Sequence, residues 1–342
     1  MLKKIILCFV FLNLTFLSAQ SKSDDNLSMV NDGPYVFIED DRLVEKNVVN
    51  GVLKTKDLKI DAYETTFKPE VSVYKDVEQI VALSDIHGQF DLAVEILKNN
   101  KIIDKNLNWI FGKGHLVIVG DIFDRGPKVT ETLWFVYKLE KQAKAHGGKV
   151  HFLLGNHEFM VLHDDLRYIH KKYQEASKIL KLRYSQLFDV NTVLGKWLRS
   201  KNTMVKINDN VFVHGGISPD FLLEDFDIEV TNKLMRNSID RDKTEMRSTD
   251  FYDRFYGQNG PIWYRGYFYD GLKDEAIVKI LSQINANHVV VGHCSQKEVL
   301  QLYDKKILAV DSSIKKGKYG EVLWIDAESY SRGTKDGKKI KL

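Results

Sequence analysis

A chain of 342 residues with 44% hydrophobic and 28% charged side chains has the make-up of a globular protein, long enough for one large domain or two small ones. Its formal charge of +3 falls to about +1 once Lys3 and Lys4 leave with an N-terminal leader, so bulk charge gives no support to nucleic-acid binding. The leader would also take Cys8, leaving Cys294 alone and excluding an intramolecular disulfide.

Met1-Leu2-Lys3-Lys4 makes a positive start, Ile5 to Leu17 an apolar run broken only by Asn13 and Thr15, and Ser18-Ala19-Gln20 a stretch that a peptidase could cut. This pattern predicts a signal peptide over 1–20, hence a secreted or periplasmic protein with no stable membrane insertion after cleavage. The apolar run is shorter than the roughly 20 residues of a bilayer span, which disfavours an anchor. Cys8 lies inside the run, where a lipid-modified cysteine would follow it.

Residues 21–34 are polar and turn-rich and are expected to be a linker. Residues 35–77 hold short apolar pairs separated by charges, with Asn50-Gly51 as a tight-turn signal, and predict a β-hairpin extension without chemistry of its own. The core begins with Gln79-Ile80-Val81-Ala82-Leu83, a strand ending in Ser84-Asp85-Ile86-His87-Gly88, followed by a helix from about Asp91. Leu116-Val117-Ile118-Val119-Gly120 is a second strand, ending in Asp121-Ile122-Phe123-Asp124-Arg125-Gly126. A helix over 129–145 closes at Gly147-Gly148. Lys149 to Leu154 is a third strand, ending in Gly155-Asn156-His157-Glu158. Residues 159–205 and 218–260 read as mostly helical cap insertions. Two further strands end in His214-Gly215-Gly216 and in Gly292-His293-Cys294. Residues 307–311 and 321–325 read as closing strands, and the Lys- and Gly-rich segment 328–342 is expected to be a frayed basic tail.

Six residues of metal-binding type thus stand at strand ends: Asp85, His87, Asp121, Asn156, His214 and His293. Mixed oxygen and imidazole donors suit Mn, Fe, Zn or Mg and argue against a Cys-rich structural site. A carboxylate alone among these side chains has lone pairs enough to share one oxygen between two cations, so an Asp is the expected bridge of a two-metal site. Taken singly, each residue has a plainer reading. His293 could be a structural histidine, as His151 and His288 are read to be, and Asn156 a helix N-cap. Five clusters together are harder to explain that way, and a row of neighbouring parallel strands would converge them on one crevice.

The motifs Asp85-x-His87-Gly88, Gly120-Asp121-x-x-Asp124-Arg125-Gly126, Gly155-Asn156-His157-Glu158, His214-Gly215-Gly216 and Gly292-His293 stand in an order that resembles the calcineurin-like metallophosphoesterases. Over roughly residues 78–327 the chain is similar to their phosphoprotein phosphatase branch, and Trp263-Tyr264-Arg265-Gly266 resembles its bacterial, Shewanella-like members. The resemblance implies an α/β fold: a β-sandwich flanked by α-helices, with an α-helical cap insertion. It implies two metal ions (Mn, Fe or Zn), the first on Asp85, His87 and Asp121, the second on Asp121, Asn156, His214 and His293. It further implies a metal-bridging hydroxide as nucleophile, His157 as general acid tuned by Asp124, and Arg125 and Arg265 as phosphate-binding residues.

The expected function is therefore metal-dependent phosphomonoester hydrolysis, foremost of phosphotyrosine or phosphoserine/threonine in proteins, with a small phosphate ester as the other substrate. The alternatives are a nucleotidase or dinucleoside polyphosphate hydrolase of the same fold, and an inactive binding module. Two departures stand out. Ser84 replaces a glycine. Cys294 replaces a threonine, either as a small buried filler or as a thiol near a redox-active metal.

Overall fold

The computed structural model describes residues 29–222, 226–327 and 329–342. The leader expected over 1–20, with Cys8, and residues 21–28 of the expected linker lie outside the described residues. An antiparallel sheet comes first: β1 (Asp32–Ile38), β2 (Arg42–Val49) and β3 (Val52–Lys59), in that order. Asn50 and Gly51 both take positive φ (50° and 74°), which a two-residue hairpin requires. The expected linker ends too late, because Asp32, Gly33 and Pro34 belong to β1. Asp-Gly-Pro has turn chemistry, but β1 is an edge strand whose pairing shifts register between Asp32 and Tyr35, and such an irregular edge accommodates proline.

Downstream come β4 (Val73–Tyr74), β5 (Gln79–Leu83), α1 (Phe90–Asn99), β6 (His115–Ile118), α2 (Val129–Ala145), β7 (Lys149–Phe152) and α3 (Asn156–Leu162). Next are α4 (Lys171–Leu180), α5 (Val193–Leu198), β8 (Met204–Ile207) and β9 (Asn210–Val213). Then α6 (Ile228–Ser238), α7 (Lys243–Arg247), α8 (Asp250–Tyr256), α9 (Gly266–Tyr269) and α10 (Asp274–Gln283) lead to β10 (His288–Val291), β11 (Leu300–Leu302), β12 (Ile307–Ala309), β13 (Glu321–Asp326), β14 (Ser329–Thr334) and β15 (Lys339–Lys341). The N-terminal sheet packs on α2, α4 and α5. No described helix is long and apolar enough to cross a membrane.

Among the described residues the core strands form two six-stranded sheets, ordered β15-β14-β13-β5-β6-β7 and β11-β12-β10-β9-β8-β4. The central strands β5, β6, β9 and β10 are near-continuous apolar runs because both faces are covered. Along β5, Ile80 and Ala82 join a cluster with Val117 of β6, Phe212 of β9, Val290 of β10 and Leu308 of β12, which fills the space between the sheets. The alternate residues Val81 and Leu83 join the larger cluster that includes α1 and α2. The two sheets and outer helices are the β-sandwich that the motifs imply. β5, β6 and β7 run parallel, as do β9, β10 and β12, so their carboxyl ends meet at one rim.

The C-terminal segment is not a frayed tail. β14 pairs with β13 from Asp326↔Ser329 to Glu321↔Thr334, and β15 pairs with β14 as the sheet edge. Lysines that read as solvated chain are instead the charges that an edge strand carries; Lys339 forms an ion pair with Asp326.

Candidate metal centre and its general acid

The loops after β5, β6, β7, β9 and β10 deliver Asp85 and His87, Asp121 to Arg125, Asn156 and His157, His214, and His293. Asp85, His87, Asp121, Asp124, Arg125 and His293 all have φ between 46° and 71°, a region costly for residues with a Cβ. Hydrogen bonds offset that cost. His87 N donates to the Asp121 carbonyl (2.9 Å), Gly88 N to that of Ile122 (3.0 Å) and Gly126 N to that of His87 (2.9 Å), lacing the first two loops together. A Cβ on Gly126 would lie 2.3 Å from the His87 carbonyl oxygen, so this close approach requires glycine.

Donor atoms of Asp121, His214 and His293 lie within 4.8 Å of one another, and so do those of His87, Asp121 and His157. Asp121 belongs to both groups, as a bridging carboxylate must. Its Oδ2 lies 3.5 Å from His87 Nε2 and 3.2 Å from His214 Nε2. Asp85 Oδ1 is 3.7 Å from His87 Nε2, and Asn156 Oδ1 is 2.9 Å from His214 Nε2. The six expected ligands are thus brought together, five of them buried and His293 partly so.

The arrangement of protons fits cations at this place. His87 Nδ1–H donates to the Phe123 carbonyl (2.6 Å) and His214 Nδ1–H to that of Val119 (2.7 Å), which turns each Nε2 lone pair inward. Nε2 of His87 and of His293 is buried without a hydrogen-bond partner among the described residues. Burial keeps both of these imidazoles below their ordinary range, hence neutral and able to bind metal. His214 differs. Burial opposes its charge, but Asp121, Asp85 and the Val119 carbonyl lift it to about 10. Carboxylates that draw a proton there would draw a cation in its stead.

His157 is set apart from the expected ligands by the partner of its other nitrogen. Its Nδ1–H donates to Asp124 Oδ2 (2.5 Å), where His87 and His214 donate to backbone carbonyls; burial opposes its charge, but Asp121 and this hydrogen bond raise its pKa. Its Nε2 lies 3.9 Å from Asp121 Oδ2 and 3.5 Å from Arg125 Nη2. An imidazole so placed is chemically able to give up a proton beside the donor groups. Arg125 is exposed on the His157 side, with Tyr168 beneath its guanidinium (5.2 Å to the ring centroid). Arg265 is exposed on the opposite side, over the Trp263 ring (5.5 Å), which stands edge-on to His293 (5.5 Å). His151 and His288 stay out of the centre: His151 Nε2 contacts His115 Nδ1 (3.0 Å) and His288 Nδ1–H donates to the Lys305 carbonyl.

Several residues of this site carry no role in the motif reading. The fully buried Glu158 accepts four backbone N–H groups, from Asp121 (2.9 Å), Ile122 (2.8 Å), Phe123 (3.1 Å) and Gly155 (2.7 Å). It therefore fixes the loop that presents Asp121. Burial and the Asp121 charge push it up to about 7, against the pull of those amides. Asp311, just past β12, is fully buried beside Ser295 Oγ (2.6 Å) and Lys315 Nζ (3.4 Å), and Lys315 Nζ also reaches to 3.9 Å from Asp85 Oδ1. The run Ile307-Leu308-Ala309-Val310-Asp311 repeats the strand-then-carboxylate pattern and could have revealed it. Ser84 Oγ, where a glycine was expected, donates to Asp85 Oδ2 (2.6 Å). Burial pushes the Cys294 thiol up to about 12, so it stays protonated, in keeping with a filler.

The calcineurin-like phosphoesterase family model matches residues 79–294, more than half of the chain. The chain belongs to this family. Among solved structures, this phosphoesterase is similar to the cold-active protein-tyrosine phosphatase of a psychrophilic Shewanella species: 41% identity over 91% of this chain and 99% of that one, with a TM-score of 0.88. It is 29% identical to an uncharacterized protein of Schizosaccharomyces pombe, over 77% of this chain and 82% of that one. It is also 29% identical to Shewanella-like protein phosphatase 1 of Plasmodium berghei, over 64% and 61% of the two chains. The enzyme is thus a metal-dependent phosphoester hydrolase, with Asp121 at the meeting point of its two donor groups.

Proposed function

We propose that this enzyme is a protein phosphatase that prefers phosphotyrosine. The observation that carries the reading is the His157–Asp124 pair, a charged imidazole held beside the Asp121 cluster. His157 Nε2–H would protonate the leaving oxygen, while Asp124 keeps Nδ1–H in place and sustains the charge. Arg125 and Arg265, on opposite sides of the cluster, would grip phosphoryl oxygens as charged forks. When bound, two cations supply Lewis acidity, acidifying water and neutralising phosphoryl charge. Asp85, His87, Asp121, Asn156, His214 and His293 would hold them, and the mixed donor set suits Mn, Fe or Zn.

Tyrosine preference rests on the leaving-group side. The Tyr168 ring lies 5.4 Å from the His157 ring and is 42% exposed; the Arg125 and Arg167 guanidiniums lie over it (5.2 and 5.5 Å), so its exposed rim is what an aryl group would meet while its oxygen meets Nε2. The 41% identity to a tyrosine phosphatase over 91% of this chain points the same way. Export rests on the Met1–Gln20 pattern and is tested by cell fractionation with N-terminal sequencing of the mature protein. Specificity is tested on metal-stripped protein refilled with Mn, Fe or Zn, against phosphotyrosine and phosphoserine peptides, an aryl phosphate, ATP and diadenosine tetraphosphate. Phosphotyrosine peptides should give the highest kcat/KM; faster cleavage of the anhydrides would make the enzyme a nucleotidase or dinucleoside polyphosphate hydrolase.

A further inference from the structure

Beside the metal centre lies a cavity of about 150 Å³, walled by α3, the chain after it, and the α7–α8 segment. Two of its lining residues belong to the centre: Asn156, in contact with His214, and Trp263, in contact with His293. A group in this cavity is therefore one side chain away from His214 and His293. Tyr252 and Tyr256 form one wall, stacked with centroids 5.4 Å apart and planes 8° from parallel.

Four of the other lining residues carry charge. Arg167, Lys243 and Arg247 face a single carboxylate, Asp165, which leaves an excess of two positive charges. Asp165 is already engaged, by Arg167 through two oxygens (2.8 and 2.9 Å) and by Lys243 (3.4 Å). Burial, with Lys243 close by, holds the adjoining His163 down at about 4, so it adds no charge. Arg247 has no carboxylate within 4 Å among the described residues; its guanidinium lies 5.9 Å over the Tyr252 ring. A guanidinium fork without a carboxylate, at the mouth of an aromatic-walled slot, is suited to bind an anion. The volume admits one carboxylate side chain and not a nucleoside.

We propose that this cavity is a subsite for an acidic side chain next to the phosphorylated residue of a protein substrate, with Arg247 as its principal contact. The inference rests on the protein-phosphatase reading. An acidic neighbour would enter between Arg247 and Lys243 and give the enzyme a charge preference that the metal centre alone does not provide.

The test is a set of phosphotyrosine peptides with Asp, Ala or Lys placed in turn at the three positions on either side, run on metal-loaded enzyme. The quantity read is the ratio of kcat/KM for acidic over neutral peptides. At low salt the parent should favour one acidic position by about fivefold or more, an advantage that shrinks as salt screens it. Arg247→Glu should abolish or invert that ratio. Arg247→Gln serves if the reversal does not fold, and metal content with thermal unfolding reports on folding. Asp165→Asn, which frees Arg167 and Lys243, should raise the ratio. A parent ratio near one at every position, or a ratio unmoved in both Arg247 variants, overturns the subsite while phosphopeptide hydrolysis persists. Cleavage of the aryl phosphate with no cleavage of any phosphopeptide would instead overturn the protein-phosphatase reading beneath it.

Discussion

Replacing Asp124 by Asn tests the general acid directly, because it removes a charge and leaves an oxygen to accept the His157 Nδ1–H. Both side chains are buried, and their contact spans 2.5 Å. A hydrogen bond to an ionised group contributes about 1.5–3 kcal/mol. Asparagine keeps an acceptor but not the charge, so the protonated imidazole loses most of that support and the His157 pKa should fall. The sign follows from the role. His157 acts when protonated, so activity is present below its folded pKa and is lost as pH rises through it. That pKa is raised in the parent, so the alkaline limb should lie above the ordinary histidine range. In Asp124→Asn the limb should move to lower pH, with turnover about 10–100-fold lower at pH 8 and nearer the parent at pH 6. The assay is kcat against pH from 5.5 to 9 on metal-loaded protein, with metal per chain measured alongside. An unmoved alkaline limb at full metal content, or a loss equal at every pH, would refute this reasoning.

Asn156→Ala and His157→Ala should both remove most turnover, the latter by about 10²–10⁴-fold, yet only Asn156→Ala should lower metal per chain. Equal metal loss in the two would move His157 into the ligand set. Glu158→Gln loses the charge and leaves one oxygen for four amides. It should cost about 2–4 kcal/mol, read as a fall in Tm of several degrees, and reduce metal content too; an unchanged Tm would remove Glu158 from its role. Stripping metals with a chelator should abolish turnover and lower Tm, both restored on refilling. Full activity after verified metal removal would end the two-metal reading.

Much of this centre was legible because its strands are short, apolar and rich in β-branched residues, so the polar residues at their ends stand out. Leu116 to Val119 and His288 to Val291 could hardly be other than buried strands, and Asp121 and His293 follow them directly. The C-terminal segment was not legible for the opposite reason. Ser329 to Thr334 has few apolar residues, and its strand character comes from pairing with β13, far outside any local window. Arg247 and Tyr252 were equally hidden: they lie some 90 positions beyond Asn156 in sequence, in a segment that reads only as a mostly helical cap insertion. Glu158 was visible in its motif but silent about its role, since a glutamate early in a helix is ordinary.

That silence bears on how the site is held. A ligand at a strand end needs its loop to turn inward, and here the turning residues carry left-handed φ, a strain of roughly 1–3 kcal/mol apiece. The strands supply a rigid base but cannot impose these angles. Glu158 can, because one carboxylate takes three successive amides of the Asp121 loop together with that of Gly155, which starts α3. Gly155 in turn has no room for a side chain: a Cβ there would lie 2.4 Å from Asp121 Oδ1 and 2.9 Å from His214 Cγ. The Asp121 carboxylate is therefore fixed from two sides by residues outside the two donor groups. Positioning of Asp121 comes from the tight junction of the β6 and β7 loops as much as from the six ligands themselves, which is why a change at Glu158 should be read out in metal content as well as in stability.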